Sequence, residues 1–265
     1  MTFKHIVSRD NLVFKELKRL ADNARERHSK GKTLLDGVHL IDAYMAIYGD
    51  PELIIIPEGK SNVASTSLIQ KLEHVSTVMM PTLMFGELTP VASATGILAL
   101  VKIPRFPIPE QPSFILMLED IQDPGNLGSM FRTAAAAGIE AIYLSVNCTD
   151  AWSPKALRGG QGAHFLLPII ERTDLIEQLK IFNGNSYATT LRGESLYLQD
   201  LSLPTAFIIG NEGAGLTSQT MNAATKCITI PMQHTRHGTI ESLNAGAATA
   251  VCLFEHMRQK ILLCD

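Results

Sequence analysis

The sequence predicts an α/β protein. Its C-terminal part should hold a mostly parallel sheet with helices on both faces, preceded by a smaller α/β domain. Three observations predict this. Short apolar runs alternate with helical segments from Phe114 onward. A proline-dense stretch, with Pro104, Pro107, Pro109 and Pro112, separates that part from the first hundred or so residues. Three polar stretches follow expected strands, and ligands of open α/β sheets sit beyond the carboxyl ends of strands.

Residues 1–103 form the first expected domain. Residues 11–27 carry helical apolar spacing at Leu12, Phe14, Leu17 and Leu20. Residues 53–57 read as a buried strand ended by proline, 67–74 as a short helix and 96–101 as another strand. Each proline in 104–112 fixes its own φ and disfavours helix in the residue before it, so this segment is a linker. Within 113–265, strands are expected at 114–118, 141–145, 165–170, 186–190, 206–209 and 227–230. Helices are expected at 127–137, from 154 through 158 onward, and at 175–182, 217–224 and 243–260.

A hydrophobic fraction of 46% with 18% charged residues is that of an ordinary globular chain. No run of about 18 apolar residues exists, which excludes a membrane-spanning helix. The start of the chain has no apolar stretch of a secretion signal, so a cytoplasmic location is expected. Cys148, Cys227, Cys252 and Cys264 show no C-x-x-C spacing and read as small buried residues in a reducing compartment. Net charge is −3, yet residues 1–32 hold nine Lys/Arg against four acids. Such a basic arm suits phosphate contact through Arg9, Lys15, Lys18, Arg19, Arg25 and Arg27. It equally suits a solvated amphipathic helix, and charge alone does not decide between the two.

The first polar stretch runs from Leu118 to Thr133. Asn126 stands where an N-cap is wanted. Gly128, in the first turn, costs roughly 1 kcal/mol of helix propensity, which points to a close approach to that backbone. Arg132 calls for an anionic partner, either a ligand or a carboxylate such as Asp123. The second stretch, 207–217, places Gly210, Gly213 and Gly215 after a strand. It is neither a Walker loop nor a Rossmann fingerprint, and Glu212 within it argues against cradling phosphate. It suits a ligand with hydroxyls, an amino group or a sulfonium charge; alone, it is an ordinary glycine-rich turn. The third stretch runs from Ile230-Pro231-Met232 to Glu241-Ser242-Leu243-Asn244 and opens a helix of small residues. Helix starts gather unpaired N–H groups. His234 and His237 lie between, and a lone H-x-x-H on a loop is weak support for a metal. A fourth patch, 153–163, holds Lys155 and Arg158 and reads as a rim for an RNA backbone or as a helix end with a loop.

In this order, D-P-x-N-x-G-x-x-x-R-T-A, I-G-N-E-G-x-G-L and I-P-M … E-S-L-N resemble the three motifs of the SpoU (TrmH-like) family of RNA ribose 2′-O-methyltransferases, within the SPOUT superfamily. The likeness covers about residues 114–258. The N-terminal S-R-D-N … L-L-D-G-x-H-L-I … T-G-I-L-A-L-V pattern is similar to the L30e-like RNA substrate-binding domain of rRNA-modifying members. The resemblance implies a C-terminal trefoil knot, a rare exception to the rule against threading. It also implies S-adenosylmethionine as methyl donor, a homodimer packed through the catalytic domain, no metal, and RNA as substrate, rRNA ahead of tRNA. Carried over by position, Asn126, Arg132, Glu212, Ser242 and Asn244 are the catalytic candidates. Thr190, Gly210, Asn211, Glu212, Gly213, Leu216, Ile230, Met232, Ser242 and Leu243 are the donor-binding candidates. Two departures stand out: the loop from Met232 to Glu241 is about four residues longer than usual, and Gly160 stands where many members carry Ser. A non-catalytic RNA-binding protein of the same fold is the competing reading. A dehydrogenase is disfavoured, because no first-strand G-x-G-x-x-G is present.

Overall fold

A computed structural model of the chain describes residues 3–59, 63–89, 96–235, 238–240 and 242–262. They divide into two units, Met1–Arg105 with Trp152–Phe165, and Phe106–Ala151 with Leu166–Asp265.

The first unit holds a mixed five-stranded sheet. Its order is β1 (Lys4–His5), β4 (Thr77–Met80), β3 (Leu53–Pro57), β5 (Leu98–Lys102) and β2 (Lys32–Asp36). β1 and β3 run parallel to β4, whereas β2 and β3 run antiparallel to β5. Helix α1 (Leu12–Asp22) starts at Asn11, whose side chain accepts from the Val13 N–H, and buries Phe14, Leu17 and Leu20. The single helix expected over 11–27 is corrected to two. Asn23 accepts from the Arg25 and Glu26 N–H groups and so starts α2 (Ala24–Lys30), which Gly31 closes at φ 62°. The unit also contains α3 (Val38–Tyr48), α4 (Val63–Lys71) and α5 (Thr82–Gly86). Helix α7 (Pro154–Gly160) lies in this unit although it falls late in the sequence. It packs against β2, and the Thr33 hydroxyl donates to the Trp152 carbonyl at 2.8 Å.

The second unit holds a six-stranded sheet in the order β11 (Lys226–Thr229), β9 (Asn185–Ser195), β10 (Thr205–Ile209), β6 (Phe114–Leu118), β7 (Ala141–Leu144) and β8 (Ile169–Ile170). Every pairing in it is parallel, as the alternation of strands and helices predicts. All five residues of β6 and of β10 are buried, as strands covered on both faces require. Ile115, Met117, Ala206 and Ile208 form one face with Leu175 and Leu179 of α8 (Leu175–Ile181) and Met221 of α9 (Ser218–Ala223). The neighbouring Phe114 points to the other face. There it stacks on His256 of α10 (Ala245–Leu262), with centroids 3.8 Å apart, and α10 packs along α6 (Pro124–Ala137). The strand expected over 165–170 shrinks to Ile169–Ile170. Residues 163–165 form a 3₁₀ turn and Pro168 lacks an N–H to donate. Among the described residues, no helix is long and apolar enough to cross a membrane. Cys252 is fully buried and its thiol is pushed up to about 12, whereas Cys148 and Cys227 are half-buried. Cys264 lies outside the described residues.

Candidate active site

The parallel strands β11, β9, β10 and β6 are neighbours in the sheet, and the chain leaves β6, β10 and β11 in the three loops expected to form the site. After β10, the Asn211 carboxamide oxygen accepts from the Gly213 and Ala214 N–H groups, both at 2.8 Å. Asn211 and Gly215 also exchange two backbone hydrogen bonds. This small loop closes so tightly that a Cβ on Gly210 would lie 2.4 Å from the Gly215 carbonyl carbon. Gly215 itself adopts φ 71°.

After β6, Asp123 caps α6 by accepting from the Asn126 N–H at 2.8 Å, with Pro124 in the first turn. Asn126 is therefore not the N-cap; it lies one turn inside the helix, where its carboxamide is free to reach outward. It donates to Glu212 at 3.2 Å. The Gln122 and Asp123 N–H groups donate to the same carboxylate at 3.2 and 3.3 Å. Burial pushes the Glu212 carboxyl up, but hydrogen bonds from its own backbone, Asn126, Gln122 and Asp123 outweigh that and hold it below the usual range. Glu212 thus ties the second loop to the first as a carboxylate.

The third loop leaves β11 and ends at Asn244, whose side chain accepts from the Ala247 N–H at 2.7 Å and caps α10. Gly246, in the first turn of α10, brings that helix against Ser129 of α6. Between Met232 and Ser242 the longer loop forms a two-residue hairpin, β12 (His234–Thr235) with β13 (Gly238–Thr239). Arg236, His237 and Glu241 lie outside the described residues.

A cavity of about 370 Å³ opens between the second and third loops and residues 189–191 of β9, within the usual range for small-molecule sites. It is lined by ten of the residues singled out from the sequence: Thr190, Gly210, Asn211, Glu212, Gly213, Leu216, Ile230, Met232, Ser242 and Leu243. Asn126 joins it through Glu212, and Asn244 sits at its α10 edge. Arg132 is exposed on α6, two turns beyond Asn126, and forms no hydrogen bond or ion pair among the described residues. The carboxylate offered to it, Asp123, serves as the helix cap instead.

Sequence reasoning missed Thr189 and Leu191 as lining residues. They lie in an outward bulge of β9, where Cys227 pairs with Ala188 but Ile228 pairs with Glu194. It also missed Glu119, a buried carboxylate that accepts from the Thr217 N–H and from the Thr217 and Thr220 hydroxyls, anchoring α9 to the end of β6. A lone acid after an apolar strand carries no signal of such a role.

The basic arm is less bare than its charge count suggests. Arg9 pairs with Glu87, Lys15 with Asp10, and Lys18 with Asp22, all at the surface. Exposed pairs of this kind contribute little to stability. Arg19 donates to the Lys15 carbonyl, and Arg25 is exposed. Arg27 is different. It is 4% exposed and donates to the Leu20 and Ala21 carbonyls, closing the end of α1 from within. Its place among surface RNA contacts is therefore corrected. Lys155 is exposed, whereas Arg158 is half-buried with its Nη1 out of solvent.

The fold and cavity define a class: an open parallel α/β sheet with a small-ligand site built at its carboxyl edge by three loops. Comparison with known proteins narrows it. The model of the SpoU rRNA Methylase family matches residues 113–254. The 23S rRNA (guanosine(2553)-2′-O)-methyltransferase RlmP of Bacillus subtilis is 30% identical over 96% of this chain and 99% of its own. The 23S rRNA (guanosine-2′-O-)-methyltransferase RlmB of Photorhabdus laumondii is 30% identical over 86% of this chain and 98% of its own. The crystal structure of the SpoU methyltransferase AviRb from Streptomyces viridochromogenes with AdoMet superimposes with a TM-score of 0.81 at 25% identity, covering 95% of this chain and 98% of that one. This chain belongs to the SpoU rRNA methylase family.

Proposed function

We propose that this protein methylates a ribose 2′-hydroxyl of ribosomal RNA at the cavity bounded by Gly210–Leu216, Ile230–Met232 and Ser242–Leu243. Its class follows from its family: it is an S-adenosylmethionine-dependent RNA 2′-O-methyltransferase. The choice of rRNA rests on the relatives named as 23S rRNA enzymes. The observation that carries the site is the Asn126–Glu212 hydrogen bond, which joins the first motif to the donor cavity.

The cavity suits the donor. Leu216, Met221, Ile230, Met232 and Leu243 offer apolar walls, while Thr190, Asn211, Glu212 and Ser242 offer polar edges. The bare backbone at Gly210 leaves the loop room to fold close. When bound, the donor supplies an electrophilic sulfonium methyl. A ribose hydroxyl is a poor nucleophile, so placement must supply much of the acceleration, roughly 7–11 kcal/mol in well-oriented cases. Asn126 orients the ribose. A guanidinium is a donor only and offers no basic site, so the role given to Arg132 is a different one. Arg132 binds the adjacent phosphate and lowers the pKa of the hydroxyl, and that phosphate or a water accepts the proton. Ser242 and Asn244 hold the acceptor edge.

The proposal extends to the whole molecule. The first unit acts as an L30e-like RNA-binding domain through its surface cations, including Lys15, Lys18, Arg19 and Lys155. The second unit carries the trefoil knot and pairs with a second copy, and the protein works in the cytoplasm. The expected limits of 1–103 and 113–265, with 104–112 between them, need one amendment: Trp152–Phe165 goes with the first domain.

Mapping of ribose-methylated positions in cellular RNA with and without this gene tests the substrate. One rRNA position is expected to lose its methyl group. Loss confined to tRNA, or no loss at all, contradicts the assignment.

A further inference from the structure

Behind the cavity, and not lining it, lies a residue with an unusual backbone. Asp120, just past β6, adopts φ 56°, the left-handed region that side chains other than glycine seldom occupy. Such conformations persist when their surroundings over-determine them, and they gather at functional sites.

The surroundings of Asp120 do so. Its carboxylate accepts from the Ser145 hydroxyl at 2.5 Å and from the Asn147 carboxamide at 3.3 Å. Its own N–H donates back to the Ser145 oxygen at 2.9 Å. The carbonyl that this turn presents then anchors two side chains, one on its own loop and one on the cavity-lining loop after β10. It accepts from the Asn211 carboxamide at 2.8 Å and from the Gln122 carboxamide at 2.9 Å. Asn211 is the residue whose oxygen shapes the Gly213–Ala214 turn, and the Gln122 N–H holds Glu212. One carbonyl, presented by one left-handed residue, therefore ties the loop after β6 to the Asn211 loop, and the second of these lines the cavity.

We propose that Asp120, clasped by Ser145, is a positioning residue for the methyl donor, acting through the Asn211 carboxamide rather than by touching the ligand. This rests on the methyltransferase reading above. Aspartate suits the position twice over: it tolerates the left-handed region better than most side chains, and its carboxylate reaches the clasp that holds it there. Alanine keeps neither property. Asparagine keeps both, since its carbonyl oxygen still accepts from Ser145.

The test uses the full-length protein with Asp120→Ala, Asp120→Asn and Ser145→Ala. Calorimetry reads S-adenosylhomocysteine affinity well below the melting temperature of each variant, and ligand-free melting is recorded separately. Asp120→Ala is expected to weaken binding by about tenfold, the order of effect when a preorganised loop loses its backbone constraint. Asp120→Asn is expected to restore affinity to within about threefold of the parent. Should Asp120→Ala fail to fold, Ser145→Ala removes the same clasp from the β7 side and is expected to weaken binding in the same direction. A lower melting temperature with undiminished S-adenosylhomocysteine affinity in the folded Ala variant overturns the proposal, as does Asp120→Asn binding as poorly as Asp120→Ala. If the parent protein itself does not bind S-adenosylhomocysteine, it is the methyltransferase reading that fails.

Discussion

Replacing Arg132 by Ala is expected to slow methyl transfer by roughly 10²–10³-fold, the loss typical when one preorganised group is removed from developing charge. The donor should still bind nearly as well, because Arg132 is not among the residues that line the cavity. Its setting supports this split. It is exposed on α6 and tied to no neighbour among the described residues, so its removal should leave the helix undisturbed. A cation held in the open on a helix of small residues suits an anion that arrives with the substrate, and every RNA acceptor brings a phosphate. Arg132→Lys retains the charge but loses the planar fork, so it should recover only part of the rate. Single-turnover transfer of labelled methyl to rRNA, set beside S-adenosylhomocysteine calorimetry, checks both halves. A variant that methylates at a near-normal rate removes Arg132 from the mechanism.

Gly210→Ala should act on the opposite half of the reaction. The added Cβ would lie 2.4 Å from the Gly215 carbonyl carbon and 2.5 Å from the Leu216 nitrogen. Both are backbone atoms, which cannot swing aside as a side chain would. The loop must open, and with it the Asn211–Gly215 pairing and the placement of Glu212. Overpacking of this kind costs about 1–3 kcal/mol. Expressed as donor affinity, that is a loss of roughly 5- to 150-fold. Gly213→Ala makes the contrast: the nearest atom to its Cβ is 3.6 Å away, an ordinary contact, so its loss should be smaller. Calorimetry on both variants measures the difference. Equal affinities would mean that the tight turn is not what shapes the site.

Much of the second unit was legible because its signals are strong ones. Strands buried on both faces, such as β6 and β10, leave unbroken apolar runs between turns. The motif residues fall at the ends of those runs, so strand placement and site placement reinforced each other. The errors have physical causes. The N-cap expected at Asn126 lies three residues earlier, at Asp123, and Asp123-Pro124 carries the better signal, since proline favours the first turn and leaves the preceding acid to cap. The break at Asn23 was also visible in principle, with Asn23 and Glu26 in capping-box spacing and Gly31 as the stop. Helix α3 and strand β2 carry little sequence signal: α3 is apolar on most faces and β2 is short and charged at both ends, so neither shows a clean period. The β9 bulge and the left-handed Asp120 could not be read at all. Each is set by partners distant in sequence, Cys227 and Ile228 for the bulge, Ser145 and Asn211 for the turn. The burial of Arg27 belongs with them, since a count of charges does not distinguish a surface cation from one that closes a helix end.

The most direct measurement is a crystal structure of this protein with S-adenosylhomocysteine. The ligand is expected between the Gly210–Leu216 turn, Ile230, Met232 and Ser242, with the Asn126–Glu212 bond intact at its open side. Ligand density on any other surface, or a Gly210–Leu216 turn left empty at saturating ligand, would contradict the assignment of the three loops to one donor pocket.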